Sequence, residues 1–279
     1  MILGVGAMRR GAGVIGLALL LAAAPTSPRA QGAPGLTTQD AGTRELAQIR
    51  ALRAQLAQTT RAAEPQQWAT AQAALAAALA ARGERLGDAA LLEEAADAYG
   101  QALLERTRAQ APGEWSAMMV QLGRVLRLRG DRLGGVEGRA AQGAAVASLQ
   151  AALEEMSRDR APLVWAATQA ELGLAFMGLA EAGPGTEALE GAVAAHRLAL
   201  EVRTRERARR EQAMSQMQLG LTLAALGERT SSPALLAEAL ENFEPGLAFL
   251  APIWPHSERT RARVQRDRIR QALRSLSPP

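Results

Sequence analysis

WATAQAALAAAL (68–79), WSAMMVQLGRVL (115–126), WAATQAELGLAF (165–176) and QAMSQMQLGLTL (212–223) lie over one another residue for residue. Their starts are separated by 47, 50 and 47 residues. Self-similarity at such a period marks an architecture of stacked repeats. Anchored on Leu75, Leu122, Leu172 and Leu219, the register continues downstream. Ala95, Ala192 and Ala239 stand twenty residues on. Tyr99, His196 and Phe243 follow, then Ala102, Ala199 and Gly246. The second copy matches through Ala145, Leu149 and Ala152 after a three-residue insertion. That insertion falls in the glycine-rich stretch 130–143, where a loop is expected to absorb it.

Apolar residues recurring at three- and four-residue spacing describe one face of an α-helix. Each copy therefore reads as a helical hairpin, helix A followed by helix B. One hairpin cannot bury its apolar face alone, so neighbours stack and share a core.

The pairs Leu122-Gly123, Leu172-Gly173 and Leu219-Gly220, with Leu75-Ala76 as a weaker copy, carry a resemblance. So do the large residues Leu79, Leu126, Phe176 and Leu223 and the helix-B series above. Together they resemble the tetratricopeptide repeat. The family unit is about 34 residues; these copies are longer, so both helices or the A–B loop must be extended. The resemblance implies an all-α fold, an α-α superhelix wound as a right-handed solenoid of about four hairpins. The expected repeats are 64–110, 111–160, 161–207 and 208–252. Helices 43–63 and 256–276 would cap the stack.

In that family helix-A positions line a concave face that holds peptides or partner helices. By register this implies Thr70, Ala73 and Ala77, then Ala117, Val120, Arg124 and Arg127. The third copy gives Ala170, Leu174 and Met177, and the fourth Met214, Met217 and Leu221. An open, adaptable, methionine-rich surface suits a partner protein or peptide. The competing reading is a stack that curls and buries part of this face itself.

Residues 1–30 carry Arg9 and Arg10, an apolar run from Val14 to Ala24 and small residues up to Ala30. That order describes a secretory signal peptide, and residues 31–42 read as a disordered linker. No later stretch is expected to cross a bilayer. The formal charge is +4 and the isoelectric point about 10.9. Without Arg9, Arg10 and Arg29 the 32 basic residues fall to 29 against 28 acidic ones. With no lysine, no cysteine and one tyrosine, little titrates between histidine and arginine. The high value therefore does not imply a nucleic-acid partner. Arginine without lysine, with export, points to the periplasm or the outside of a bacterium; zero cysteines leave stability to packing.

No metalloprotease, serine-hydrolase or phosphate-loop motif occurs, and neither a catalytic residue, a cofactor nor a metal is expected. His196 takes the place of Tyr99, Leu149 and Phe243 and reads as a packed ring. Trp68, Trp115 and Trp165 read as wedges between hairpins rather than as a ligand ladder. Glu154 is expected to pair with Arg158. A second arginine group, Arg203, Arg205, Arg207, Arg209 and Arg210, stands between the third and fourth copies. Arg259, Arg263, Arg266, Arg270 and Arg274 step by four, three, four and four, which puts them on one side of the last helix. Such a stripe fits an anionic membrane surface, an acidic polymer or an acidic protein. Set against this is a solvated face with Glu258 and Asp267 interspersed. Oligomeric state is not readable.

Overall fold

A computed structural model of the chain describes residues 38–276 apart from residue 182; the expected signal segment lies outside them. The described residues form ten helices and no strand. They are α1 (Thr38–Gln58), α2 (Pro65–Leu86), α3 (Ala89–Leu103), α4 (Pro112–Leu133) and α5 (Gly135–Glu155). The order continues with α6 (Pro162–Glu181), α7 (Glu187–Val202), α8 (Arg209–Thr230), α9 (Pro233–Leu250) and α10 (His256–Leu276). Helix α1 starts five residues ahead of the expected boundary at 43.

Pro65, Pro112 and Pro162 open three of the four A helices. Proline costs nothing at that position, where its missing N–H would be unbonded anyway. The A helices α2, α4, α6 and α8 run 20–22 residues and the B helices α3, α5, α7 and α9 run 15–21. The length beyond a 34-residue unit therefore lies in the helices. The insertion in the second copy departs from expectation. Only Gly134, at φ 62°, separates α4 from α5, and α5 extends to 21 residues. The extra residues lengthen a helix rather than a loop.

Each helix packs on its neighbour in sequence, and consecutive A helices also touch: α2 with α4, α4 with α6, α6 with α8. Inside each hairpin a glycine of helix A receives a large side chain of helix B. A Cβ on Gly123 would stand 2.6 Å from Leu149 Cγ, and one on Gly220 2.7 Å from the Ala239 carbonyl oxygen. The Leu-Gly pair is thus the crossing point of the hairpin. Helix α1 closes one end through Ile49, with Leu52 and Leu56 alongside. Helix α10 closes the other through Ala262 and Ile269 against α8 and α9. Helix α6, against expectation, is long and apolar enough to cross a membrane by length and composition. Its neighbours α4, α5, α7 and α8 pack around it as a core helix.

Candidate functional site

The A-helix face is narrower than the register implies. Thr70, Ala77 and Ala117 are exposed, and Ala73, Val120, Arg124, Leu174 and Met214 are partly covered. Arg127, Ala170, Met177, Met217 and Leu221 are buried, which corrects the expectation of an open lining. The cause is direct contact between successive A helices. Met177, Met217 and Leu221 belong to one apolar core shared by α6 through α10.

The two arginines expected to greet a partner instead tie helices together. Arg124 of α4 donates to both carboxylate oxygens of Glu84 on α2, at 3.0 and 2.8 Å. Arg127 donates from Nε to Glu171 on α6 at 3.0 Å and from Nη1 to Asp131, one turn along α4, at 2.9 Å. Its side chain is 3% exposed. Burial pulls this guanidinium down, but Glu171 and Asp131 more than offset it, so its pKa stands above the arginine norm. A charge so placed needs both carboxylates, since an unpaired buried ion is costly.

Gln142 of α5 completes the cluster. Its Nε2 donates to the Arg127 carbonyl at 3.1 Å and to Asp131 Oδ1 at 2.6 Å, while Oε1 is buried without a partner. It is wedged between α4 and α6, where a Cβ on Gly130 or Gly178 would overlap the amide. The sequence carried this signal. Gln142 stands where the other copies place Leu92, Leu189 and Leu236, and Arg127 where they place Ala80, Met177 and Ala224.

Glu84, Asp131, Glu181 and Glu228 all stand nine residues after the helix-A leucine. The first pairs with Arg124, the second with Arg127 and the fourth with Arg268 of α10 at 2.9 Å. Glu181 makes no ion pair among the described residues. Burial of its carboxyl, with the Asp131 charge nearby, pushes it up to about 7, although the residue as a whole is exposed.

His196 of α7 is fully buried, with both ring nitrogens unpartnered. A Cβ on Gly173 would stand 2.6 Å from its Nε2. Burial, with the Arg203 charge added, holds its pKa down to about 3, so the ring is neutral and packs as Phe243 does over Gly220. Burial also lowers Arg203, which donates to Ser215 Oγ of α8 at 2.8 Å. Of its neighbours in sequence, Arg209 stacks on Phe249, 4.5 Å from the ring centre.

A second repeated device went unread. An arginine stands seven residues before each of the three helix-A tryptophans: Arg61 and Trp68, Arg108 and Trp115, Arg158 and Trp165. The guanidiniums lie over the rings at 5.7, 5.4 and 5.2 Å from the centroid. Each also meets a carboxylate at the end of the B helix of the same hairpin. Arg61 pairs with Glu105, Arg108 with Glu154 and Glu155, and Arg158 with Glu201. The expected Glu154–Arg158 pair is therefore replaced by two pairs that clasp the ends of hairpins. These three tryptophans are half-buried and covered by the arginines.

On α10 the arginine stripe runs along the flank toward α9. Arg270 donates through Nε and Nη2 to Glu244 of α9 at 3.1 and 2.6 Å, and Arg266 pairs with Asp267 at 2.8 Å. Arg263 and Arg274 are exposed and make no ion pair among the described residues; Arg259 reaches only the His256 ring, at 3.5 Å.

Chemically, these clusters hold charge and shape. Every strongly shifted group acts through burial or an ion pair within the fold, and the described residues contain no grouping of three or more His, Cys, Asp or Glu arranged for a metal ion. No family model matches the chain, and no curated protein matches it significantly.

Proposed function

We propose that the chain is a non-catalytic interaction scaffold exported to a bacterial periplasm, a tetratricopeptide-like right-handed solenoid that holds a peptide or partner helix on its A-helix face. The supporting observation is the accessible strip over α2 and α4. Thr70, Ala73, Ala77, Ala117 and Val120 lie there beside the Glu84–Arg124 bridge. Their small side chains leave room for a partner backbone to approach, and the bridge with Arg106, which donates to Thr70 at 2.6 Å, offers polar contacts at the rim. The buried half of the expected face, on α6 and α8, serves as core.

Selection of a displayed peptide library on the full chain tests this reading. Enriched peptides should lose at least tenfold in affinity with Ala77→Glu plus Ala117→Glu, exposed positions whose change leaves the melting temperature unmoved. Failure to enrich any peptide, or binding indifferent to both changes, counts against it. Export is tested separately by fusing residues 1–30 to a reporter active only outside the cytoplasm. Docking of the last helix on a bilayer finds less support. An interfacial helix needs a free apolar face, and α10 turns Ala262 and Ile269 into the core.

A further inference from the structure

Helix α10 carries seven arginines and two acidic residues, whereas residues 38–255 carry 22 arginines and 26 acidic residues. The molecule is therefore polarised, with an acidic body closed by a strongly basic cap. On the flank toward α9, the cap forms a groove with a floor of Leu247, Ala248 and Ala251 and walls that include Glu244, Arg263, Arg266 and Arg270. Arg259 and Arg274 extend the basic edge at either end.

We infer that this α9–α10 groove binds an extended acidic polypeptide, distinct from the partner on the A-helix face. Three observations carry the choice of ligand. The groove already seats a carboxylate: Glu244 Oε1 accepts two charge-assisted hydrogen bonds, one from Arg270 Nε and one from its Nη2. Arg263 and Arg274 are exposed and make no ion pair among the described residues, so the groove and its edge offer positive charge to an acidic chain. Finally, the recessed apolar floor takes the aliphatic part of a side chain, and the apolar side of α10 is already spent on α8 and α9. A flat bilayer surface exploits neither feature.

The test uses the full chain and a fluorescein-labelled twelve-residue peptide alternating Glu and Ser, followed by fluorescence anisotropy at low and moderate salt. Binding at low salt is expected, at least fivefold weaker at moderate salt because exposed charges are screened. Arg263→Gln with Arg274→Gln should weaken it at least tenfold. Neither arginine holds an ion pair among the described residues, so the melting temperature should stay unchanged. Arg261→Gln, on the opposite flank of α10, should leave binding within twofold. Absence of binding at low salt, or equal loss with Arg261→Gln, overturns the proposal. Binding to anionic phospholipid vesicles or to a polyphosphate chain without binding to the peptide would also overturn it. So would salt-sensitive self-association, abolished by the same double change, in place of peptide binding.

Discussion

The hairpins α4–α5 and α8–α9 share one register and bury opposite chemistry. In α8–α9, Gly227 packs against Leu236 and Gly220 against Phe243, within an apolar core that runs on to Ile269 of α10. In α4–α5, Gly130 packs against Gln142, and Arg127, Asp131 and Glu171 fill the adjoining space. Register decides where side chains meet; their identity decides how the junction is held. Apolar junctions tolerate many neighbours of the right volume. A buried arginine tolerates only a neighbour that brings its carboxylates, so the contact of α4 with α6 is specified more narrowly than that of α8 with α9.

The largest effect is expected from breaking the polar junction. Arg127→Met leaves Asp131 and Glu171 without their counter-charge and should cost about 3–5 kcal/mol, read as a fall in the urea midpoint. Next comes the apolar hairpin. Gly220→Ala drives a Cβ onto the backbone at Ala239, which cannot rotate away, at a cost of about 1–3 kcal/mol. Gly100→Ala in α3, with open space around it, should instead stabilise by roughly 0.5–1 kcal/mol.

The third concerns His196, the polar intruder in the repeated aromatic position. Its folded pKa lies below the unfolded value of 6.5, so its stabilising contribution is complete above pH 6.5 and is lost as pH falls toward 3. The expected slope is about 1.4 kcal/mol per pH unit below 6.5. His196→Phe, which reproduces the Phe243 and Gly220 pairing, should remove that slope in denaturation curves at pH 7 and 5. A slope that survives would place the acid sensitivity elsewhere. The smallest effect belongs to Glu181, whose folded pKa is raised. Its contribution is full below the usual carboxylate pKa and is lost as pH rises through about 7. Glu181→Gln should slightly raise stability at pH 8 and change nothing at pH 4.

Much of the fold was legible because glycine and leucine at a crossing point leave little choice of partner. Leu122-Gly123 with Leu149, and Leu219-Gly220 with Phe243, reveal both helices and their contact. The insertion before Ala145 misled because glycine-rich sequence usually breaks helices, yet Gly138 and Gly143 lie inside α5 where the chain packs closely or faces solvent. The site was less legible. Helix-A positions form stripes toward helix B and toward the next helix A, and periodicity alone cannot say which apolar stripe stays open. Met177, Met217 and Leu221 thus looked like a binding face and are core. Arg127 and Gln142 betray their role only through register, as polar residues where sister copies are apolar. The seven-residue spacing of Arg108 and Trp115 was visible but joins a loop to a helix, where helical periodicity does not apply.

The measurement closest to the central claim is a double-mutant cycle on Arg127→Met and Glu171→Gln, followed by urea denaturation at neutral pH. A buried bridge between α4 and α6 should give a coupling energy of about 2 kcal/mol or more. Additivity within about 0.5 kcal/mol would contradict a structure in which α4 and α6 are closed together by charge.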